Sequence, residues 1–306
     1  MQNQIGYSIG KSNNVDIRLL SVFIAVVEHG GFTQAQVSLN IALSSISTYI
    51  QDLETRLGMK LCNRGRAGFS LTQSGQMVYE EACHLFSALE KFNNNVAHAG
   101  GTLTGELRVG VLDNSTMSPS TRVPEVIHQF STLYPDVHIC IKVMSNDEIE
   151  KELMDGSIHL GIGAFSELKS SLRVLVHFPV TIDLYCGQKS ILYTKQSVLV
   201  DDLTLTNYAQ GCYSPDTKSK LVQKLPSPTA FSYLSEGLAF MIMSGRYVGY
   251  LPRRYAENWV NLGEMKALSE SSFSYDLQLA LAMQKGEKMS VIMEAFLRSF
   301  ESFSKK

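Results

Sequence analysis

The sequence lacks the features of a membrane-spanning, secreted or metal-stabilised protein. No run approaches the roughly 18 apolar residues of a transmembrane helix, and the first stretch, MQNQIGYSIGKSNNV, has no apolar core of a secretory signal. The five cysteines are odd in number, widely spaced and never arranged as CxxC, which argues against a disulfide framework and a structural zinc. The formal net charge of −2 indicates neither nucleic acid nor membrane as a partner. These absences predict a soluble cytoplasmic protein with no membrane partner.

Motifs of catalysis and cofactor binding are missing as well. The seven histidines include no pair at the spacing of metal ligands, such as HxxxH or HExxH. No GxSxG motif of a serine nucleophile occurs, and Gly161-Ile162-Gly163 lacks the third glycine of a dinucleotide-binding loop. The sequence therefore predicts no catalytic residues, no metal site and no cofactor.

The segment 42–58, ALSSISTYIQDLETRLG, predicts a helix with an unusual exposed face. Apolar residues recur every three or four positions, at Leu43, Ile46, Ile50, Leu53 and Leu57. The opposite face carries only uncharged polar side chains, at Ser44, Thr48, Gln51 and Thr55, with Ser47 on its flank. Hydroxyls and amides donate and accept hydrogen bonds to base edges and phosphates. The segment is therefore a candidate for a helix that enters the major groove of DNA.

The residues around this segment favour a winged helix-turn-helix over a plain helical bundle with a polar face, which is the alternative. Asp16 can cap a first helix, and Thr33 starts a short second helix through Ser38. Residues 60–71, KLCNRGRAGFSL, suit a β-wing that carries Arg64 and Arg66 towards phosphate or the minor groove. The predicted DNA-contacting residues are Thr33, Gln34, Ser44, Ser45, Ser47, Thr48, Gln51, Arg64 and Arg66.

The charge of this region and the helix that follows it both indicate a dimer. Residues 1–72 contain six Lys/Arg against four Asp/Glu, so the affinity of one monomer for DNA should be modest. Residues 72–97 contain no proline, and apolar residues alternate at spacings of four and three, at Val78, Ala82, Leu85, Leu89, Phe92 and Val96. This heptad seam predicts a helix pair that relates two DNA-binding units. The alternative is that the seam packs on the chain's own next domain.

Residues 15–98 resemble the winged helix-turn-helix and linker helix of LysR-type transcriptional regulators. Two runs carry the resemblance, IRLLSVFIAVVEHGGFTQA and SSISTYIQDLETRLGMKLCNRGRAGFSLTQSG. They contain the family's spaced features, which are Phe23, Val27, Gly31-Phe32-Thr33, Ser47, Leu53-Glu54, Leu57-Gly58, Leu61, Arg64, Leu71-Thr72 and Gly75. The resemblance implies a homodimer or tetramer that binds promoter DNA and changes transcription when a small co-inducer binds elsewhere. The chain departs from the family pattern at Gln36, Leu43 and Thr48, so the resemblance does not extend to the operator sequence.

Residues 106–306 alternate apolar strands with amphipathic helices, which predicts an α/β architecture with a mostly parallel sheet. The predicted strands are 106–112, 137–143, 158–162, 172–186, 208–213, 247–251 and 276–283, the last crossing back to the first half. The predicted helices are 119–134, one capped by Ser145 or Asn146 that runs through Met154, 235–244 and 291–303. The first three strands and the phrase SEGLAFMIMSGRYVGYLPRRY resemble the LysR effector domain, which has the fold of type 2 periplasmic binding proteins.

The ends of these strands predict a ligand site between the two halves, because open α/β sheets bind ligands at the carboxyl ends of their strands. The candidate effector-binding residues are Asn114, Ser115, Thr116, Ser145, Asn146, Gly163, Ala164, Phe165, Tyr213 and Ser214. Their hydroxyls, together with the amides of a helix N-terminus, favour a small carboxylate or another anion. The alternative is that Ser145 and Asn146 only cap a helix and that Ser115 and Thr116 only form a turn.

The predicted fold class is α/β overall, with an N-terminal all-α winged helix-turn-helix, a long linker helix and a Rossmann-like effector domain of two subdomains. The predicted domains are a disordered extension at 1–14, the DNA-binding domain at 15–72, the dimerisation helix at 73–98, a hinge at 99–105 and the effector domain at 106–306. Subdomain I comprises 106–168 and about 270–306, and subdomain II about 169–269.

The predicted function is a DNA-binding transcriptional regulator controlled by a small co-inducer. A solute-binding or transport receptor with the same C-terminal fold is the alternative, which an export signal would favour, and an enzyme with a helical accessory domain is a remote third. The expected partners are double-stranded promoter DNA, further copies of this chain and the co-inducer, with RNA polymerase as a further candidate.

Overall fold

The computed structural model describes residues 16–65, 68–99, 103–114, 122–165, 171–215, 225–268 and 273–304. The predicted extension at 1–14, part of the predicted hinge, Arg66, Ser115 and Thr116 lie outside the described residues. The chain forms two compact units, Met1–Leu89 and Glu90–Lys306. Within the described ranges, no helix combines the length and apolar character needed to cross a bilayer.

The N-terminal unit contains three short helices followed by a two-stranded wing. Its elements are α1 (Ile17–Glu28), α2 (Phe32–Leu39), α3 (Leu43–Leu57), β1 (Cys62–Gly65) and β2 (Gly68–Leu71), and α4 (Gln73–Ala99) begins in it. The side chain of Asp16 accepts a hydrogen bond from the backbone N–H of Arg18 at 2.9 Å, which confirms the predicted cap. The strands β1 and β2 pair antiparallel from Cys62–Leu71 to Gly65–Gly68, as expected of a wing.

The apolar face of α3 forms the centre of the N-terminal core. Ile46, Ile50 and Leu53 are fully buried against Phe23 of α1. Leu43 is an exception to the predicted buried face, since it is 41% exposed. The reason is its place as the first residue of α3, directly after the N-cap Ala42.

The wing is fixed to both α3 and α4 by hydrogen bonds and a close approach of the backbone. Oε1 of Glu54 accepts the backbone N–H groups of Leu61 and Cys62 at 2.8 and 3.2 Å. The hydroxyl of Thr72 donates to the carbonyl of Lys60 at 2.7 Å and accepts the N–H of Gly75 at 2.9 Å. A Cβ atom at Gly75 would lie 2.0 Å from the carbonyl oxygen of Leu61. The first strand of the wing therefore has one position relative to α3 and α4.

The C-terminal unit contains a single sheet whose strands run in the order β4-β3-β5-β11-β6-β9-β7-β8, with β10 paired to β6. Its strands are β3 (Gly105–Leu112), β4 (Val137–Met144), β5 (Leu160–Gly163), β6 (Leu172–Gly187), β7 (Asn207–Gln210), β8 (Pro228–Phe231), β9 (Tyr247–Pro252), β10 (Met265–Ala267) and β11 (Tyr275–Gln284). Its helices are α5 (Val123–Leu133), α6 (Asn146–Asp155), α7 (Ser235–Met243), α8 (Arg253–Asn261), α9 (Val291–Ser304) and a 3₁₀ helix (Val200–Leu205).

The prediction of a mostly parallel sheet is wrong. The outer strands of each half pair parallel, as in β3–β4 and β7–β9, but β6 and β11 pair antiparallel with each other and with their neighbours. These two long strands cross between the halves in opposite directions. The sheet is therefore mixed, since each crossing strand must oppose the parallel strands beside it.

A buried carboxylate ties the crossing strands to their surroundings. Asp183 of β6 is 3% exposed and accepts hydrogen bonds from Nε of Arg253 at 2.7 Å and from the hydroxyl of Ser274 at 2.5 Å. Burial alone would raise the pKa of Asp183, but the bonds from Arg253 and Ser274 lower it below its ordinary value. The ionised Asp183 thus joins β6, the start of α8 and the residue that precedes β11.

Gly75→Ala tests the wing attachment. Because the new Cβ would meet a main-chain oxygen that cannot rotate away, we expect the free energy of unfolding to fall by about 1–3 kcal/mol, the usual cost of overpacking. The measurement is urea denaturation of the purified protein. Glu81→Ala, an exposed position on the same helix, is the control and should change stability by less than about 0.5 kcal/mol. Equal stability of the two variants would contradict the tight approach.

Candidate DNA-binding surface and effector cleft

The polar face predicted for α3 is present on the surface of the N-terminal unit. Ser44, Thr48 and Gln51 are exposed, and Ser45 and Ser47 are half-buried. Thr33 and Gln34 are exposed in the first turn of α2. All of the described side chains proposed to contact DNA therefore reach the surface to some extent, and none is lost to the core.

The threonines of this face already bond to their own helix. The hydroxyl of Thr48 donates to the carbonyl of Ser44 at 3.0 Å, and that of Thr55 donates to the carbonyl of Gln51 at 2.8 Å. Such bonds to the preceding turn fix the rotamer of the side chain. With its proton engaged, the oxygen of the exposed Thr48 is left as an acceptor, which suits contact with a base donor, and a threonine methyl suits contact with a thymine methyl.

Two arginine side chains contact residues of α3. The guanidinium of Arg18 stands 5.1 Å from the centre of the Tyr49 ring, and Arg56 forms an ion pair of 3.1 Å with Asp52. Arg64 lies in β1, where its backbone is opposite Phe69. Within α3, the row of Ser44, Thr48 and Gln51 is uncharged, and the basic residue Arg56 lies in the last turn.

An aromatic contact places the wing beside the start of α2. The rings of Phe32 and Phe69 meet edge to face with their centres 5.9 Å apart. At Gly31, the residue before α2, a Cβ would lie 3.5 Å from Phe69 and 3.0 Å from the side-chain oxygen of Gln34, and its φ of 149° favours glycine. The wing, α2 and α3 therefore form one rigid surface.

The predicted dimerisation seam divides into a packed part and an exposed part. Val78 and Ala82 pack against the core of the N-terminal unit, and Leu89 is half-buried. Leu85, Phe92 and Val96 are 42%, 64% and 56% exposed. The first two positions therefore belong to the core of the N-terminal unit, which neither the predicted helix pair nor the alternative of packing on the next domain had expected. The exposed positions are the ones that can meet a second helix.

In the first half of the C-terminal unit, the start of α6 is joined to the end of β5. Oδ1 of Asn146 accepts the backbone N–H of Ala164 at 2.8 Å, and a Cβ at Gly163 would approach that oxygen to 2.6 Å. Ser145 is the N-cap of α6 and forms a reciprocal capping box with Glu148. Asn146 and Gly163 therefore come together as predicted, while Ser145 has the structural role of a cap.

Where the two halves of the C-terminal unit meet, the end of β3 contacts the start of α7. Oδ2 of Asp113 accepts the backbone N–H of Ser235 at 2.6 Å, and the hydroxyl of Tyr213 donates to the carbonyl of Asp113. The hydroxyl of Tyr275 donates in turn to the carbonyl of Tyr213. These bonds bring Tyr213 to the end of β3, as predicted. The hydroxyl of Ser214 instead accepts the N–H of Gly211 at 2.9 Å and closes a turn.

The phenols and the thiol at this place are held in their neutral forms. Burial raises the pKa of Tyr213 well above its ordinary value, with a smaller contribution from Asp113. Burial likewise raises the pKa of the Cys212 thiol to about 11. Burial, Asp113 and Glu236 raise the pKa of Tyr255. At neutral pH the cleft therefore offers hydroxyl groups, a thiol and a carboxylate.

The sequence reasoning missed Asp113, Ser235 and Tyr255. Asp113 directly precedes the predicted Asn114, and its position at the end of an apolar strand was the signal that could have found it. Ser235 was predicted as the first residue of a helix, but its contact with Asp113 could not be inferred from the sequence. Tyr255 belongs to α8, which was not predicted because Pro252 suggested a break; in the structure Pro252 is the N-cap of α8.

Comparison with known proteins identifies both units. Residues 17–76 match the family model described as "Bacterial regulatory helix-turn-helix protein, lysR family", and residues 100–304 match "LysR substrate binding domain". The chain is 33% identical over 294 residues to the HTH-type transcriptional activator BauR of Pseudomonas aeruginosa, which covers 95% of this chain and 96% of that protein. It is 25% identical to the transcriptional activator AaeR of Escherichia coli over 82% of each chain.

Solved structures support the same fold. The crystal structure of CbnR, a LysR family transcriptional regulator, matches 95% of this chain and 100% of its own with a TM-score of 0.64 at 18% identity. The full-length CbnR structure with its target DNA matches with a TM-score of 0.62. From the two domain matches and the full-length similarity to BauR, the chain belongs to the LysR family of transcriptional regulators, which are DNA-binding proteins and not enzymes.

Proposed function

We propose that this regulator reads its operator with the neutral face of α3 and responds to a small molecule bound in the cleft of its C-terminal unit. The observation that carries the proposal is the exposed row of Ser44, Thr48 and Gln51 on a helix fixed to its wing. In a helix-turn-helix, the second helix of the pair enters the major groove and its N-terminal residues meet the base edges. Because promoter DNA is the target, the proposed location is the cytoplasm.

Attraction to the DNA backbone comes from the wing in this proposal. Arg64 and Arg66 supply guanidinium groups that suit phosphate or the minor groove, and Thr33 and Gln34 at the start of α2 add phosphate contacts. Since α3 carries no basic residue before Arg56, α3 contributes base contacts rather than charge.

The proposed assembly is a homodimer through α4, with tetramers as the next level. The exposed apolar side chains Leu85, Phe92 and Val96 support a helix–helix contact. A dimer doubles the number of phosphate contacts, which compensates for the weak positive charge of one N-terminal unit. RNA polymerase is a further proposed partner of the DNA-bound form.

The proposed co-inducer site is the cleft between the two halves of the C-terminal unit. Asn114, Asn146, Gly163, Ala164, Phe165 and Tyr213 contribute from the described residues, together with Ser115, Thr116, Ser145 and Ser214. The predicted preference of the site for a carboxylate rested on free amides at helix N-termini. In the structure, the start of α6 is capped by Ser145 and Glu148, and the N–H of Ser235 in α7 bonds to Asp113. The polar lining supports a small polar molecule without requiring an anion.

Thr48→Ala tests the docking of α3. Loss of the hydroxyl and methyl should change the sequences that the protein selects from randomised DNA, with a roughly ten-fold change in preference at one base position of each half-site. Thr55→Ala is a matched control, because Thr55 has the same bond to the preceding turn and lies about 10 Å further along the helix. If the two variants select the same sequences as the unchanged protein, the docking is wrong.

Asn146→Ala tests the cleft. Its amide holds the N–H of Ala164 and lies at the end of β5, so removal should abolish or strongly weaken the change in DNA binding that the co-inducer causes. The measurement is a gel shift with and without the co-inducer, with Asn261→Ala, an exposed amide at the end of α8, as the control. An unchanged response in Asn146→Ala would place the ligand elsewhere.

A further inference from the structure

An acidic side chain occupies the point at which the two halves of the C-terminal unit meet. Asp113 is half-buried at the carboxyl end of β3, and its Oδ2 accepts the backbone N–H of Ser235 at 2.6 Å. Within the described part of the chain, its second oxygen, Oδ1, accepts no hydrogen bond. The carboxylate therefore keeps acceptor capacity beyond its bond to α7.

Four backbone amides at these helix starts and strand ends are already engaged. The amide of Ser235 bonds to Asp113 itself, and that of Ala164 bonds to Asn146. At the start of α6, the hydroxyl of Ser145 accepts the N–H of Glu148, and the carboxylate of Glu148 accepts the N–H of Ser145. A ligand carboxylate would have to displace one of these bonds before it gained its own.

The electrostatic surroundings of Asp113 favour a positively charged ligand over an anion. Asp113 contributes to raising the pKa of Cys212, Tyr213 and Tyr255, and Glu236 contributes in the same direction at Tyr255. A second negative charge beside Asp113 would be repelled, whereas a cation would be attracted by the carboxylate.

Resting on the proposed function of the cleft, we infer that the co-inducer carries a protonated amine for which Asp113 is the counter-ion. The ammonium donates a charge-assisted hydrogen bond to Oδ1, while Oδ2 continues to cap α7. Asp113 belongs to the first half of the C-terminal unit and Ser235 to the second. An amine bound to Asp113 therefore adds a contact where the two halves meet.

The test uses the full-length protein and three sets of probes, which are primary amines of two to six carbons, the carboxylates of equal chain length and the matching alcohols. We expect only amines to raise the melting temperature and to change the gel shift on selected DNA. Asp113→Asn keeps an oxygen that can accept the Ser235 amide but removes the charge, and should weaken amine binding by about ten-fold or more in calorimetry. Asp113→Glu keeps the charge and should bind amines more tightly than Asp113→Asn.

Glu125→Gln, an exposed acid in the first turn of α5, is the control and should bind amines as the unchanged protein does. The inference is overturned if amines bind equally to the protein and to Asp113→Asn, or if none of the amines binds. Carboxylates that bind and alter the gel shift would also overturn it, but would leave the proposed function standing. The proposed function itself fails only if the unchanged protein selects no DNA sequence.

Discussion

The antiparallel pair of β6 and β11 is the constraint on which the C-terminal unit depends. The two strands pair from Ile182–Tyr275 to Leu172–Gln284 and are the strands that carry the sheet from one half to the other. Asp183 anchors them, since its buried carboxylate is bonded to Arg253 and Ser274. In the proposed function, the contacts at the strand ends, above all Asp113 with Ser235, are the ones that a co-inducer would strengthen or replace.

The N-terminal unit also contains contacts that fix one element against another. Glu54, Thr72 and Gly75 fix the wing to α3 and α4, so the distance between the wing and the recognition helix is set before DNA arrives. A surface organised in advance loses little conformational entropy on binding. In the proposed function, this fixed wing lets α3 take part in recognition without a basic residue of its own before Arg56.

How far the sequence predicted this structure depends on whether the deciding contact is local. The helix period of α3, the Asp16 cap of α1 and the Ser145 cap of α6 are local, and each agrees with the structure. The direction of β6 and β11, the helix after Pro252 and the contact between Asp113 and Ser235 depend on residues far apart in the chain. The exposed Leu43 and the packed Val78 show the same limit, since periodicity identifies an apolar face but not what covers it.

Binding of this chain to a specific promoter as a symmetric assembly is tested most directly by footprinting of the full-length protein on the DNA upstream of its own gene. We expect protection of two related half-sites with two-fold symmetry, separated by a whole number of helical turns of about 10.5 base pairs. Uniform weak protection that disappears when salt is raised, with no sequence preferred, would be non-specific binding and would contradict this expectation.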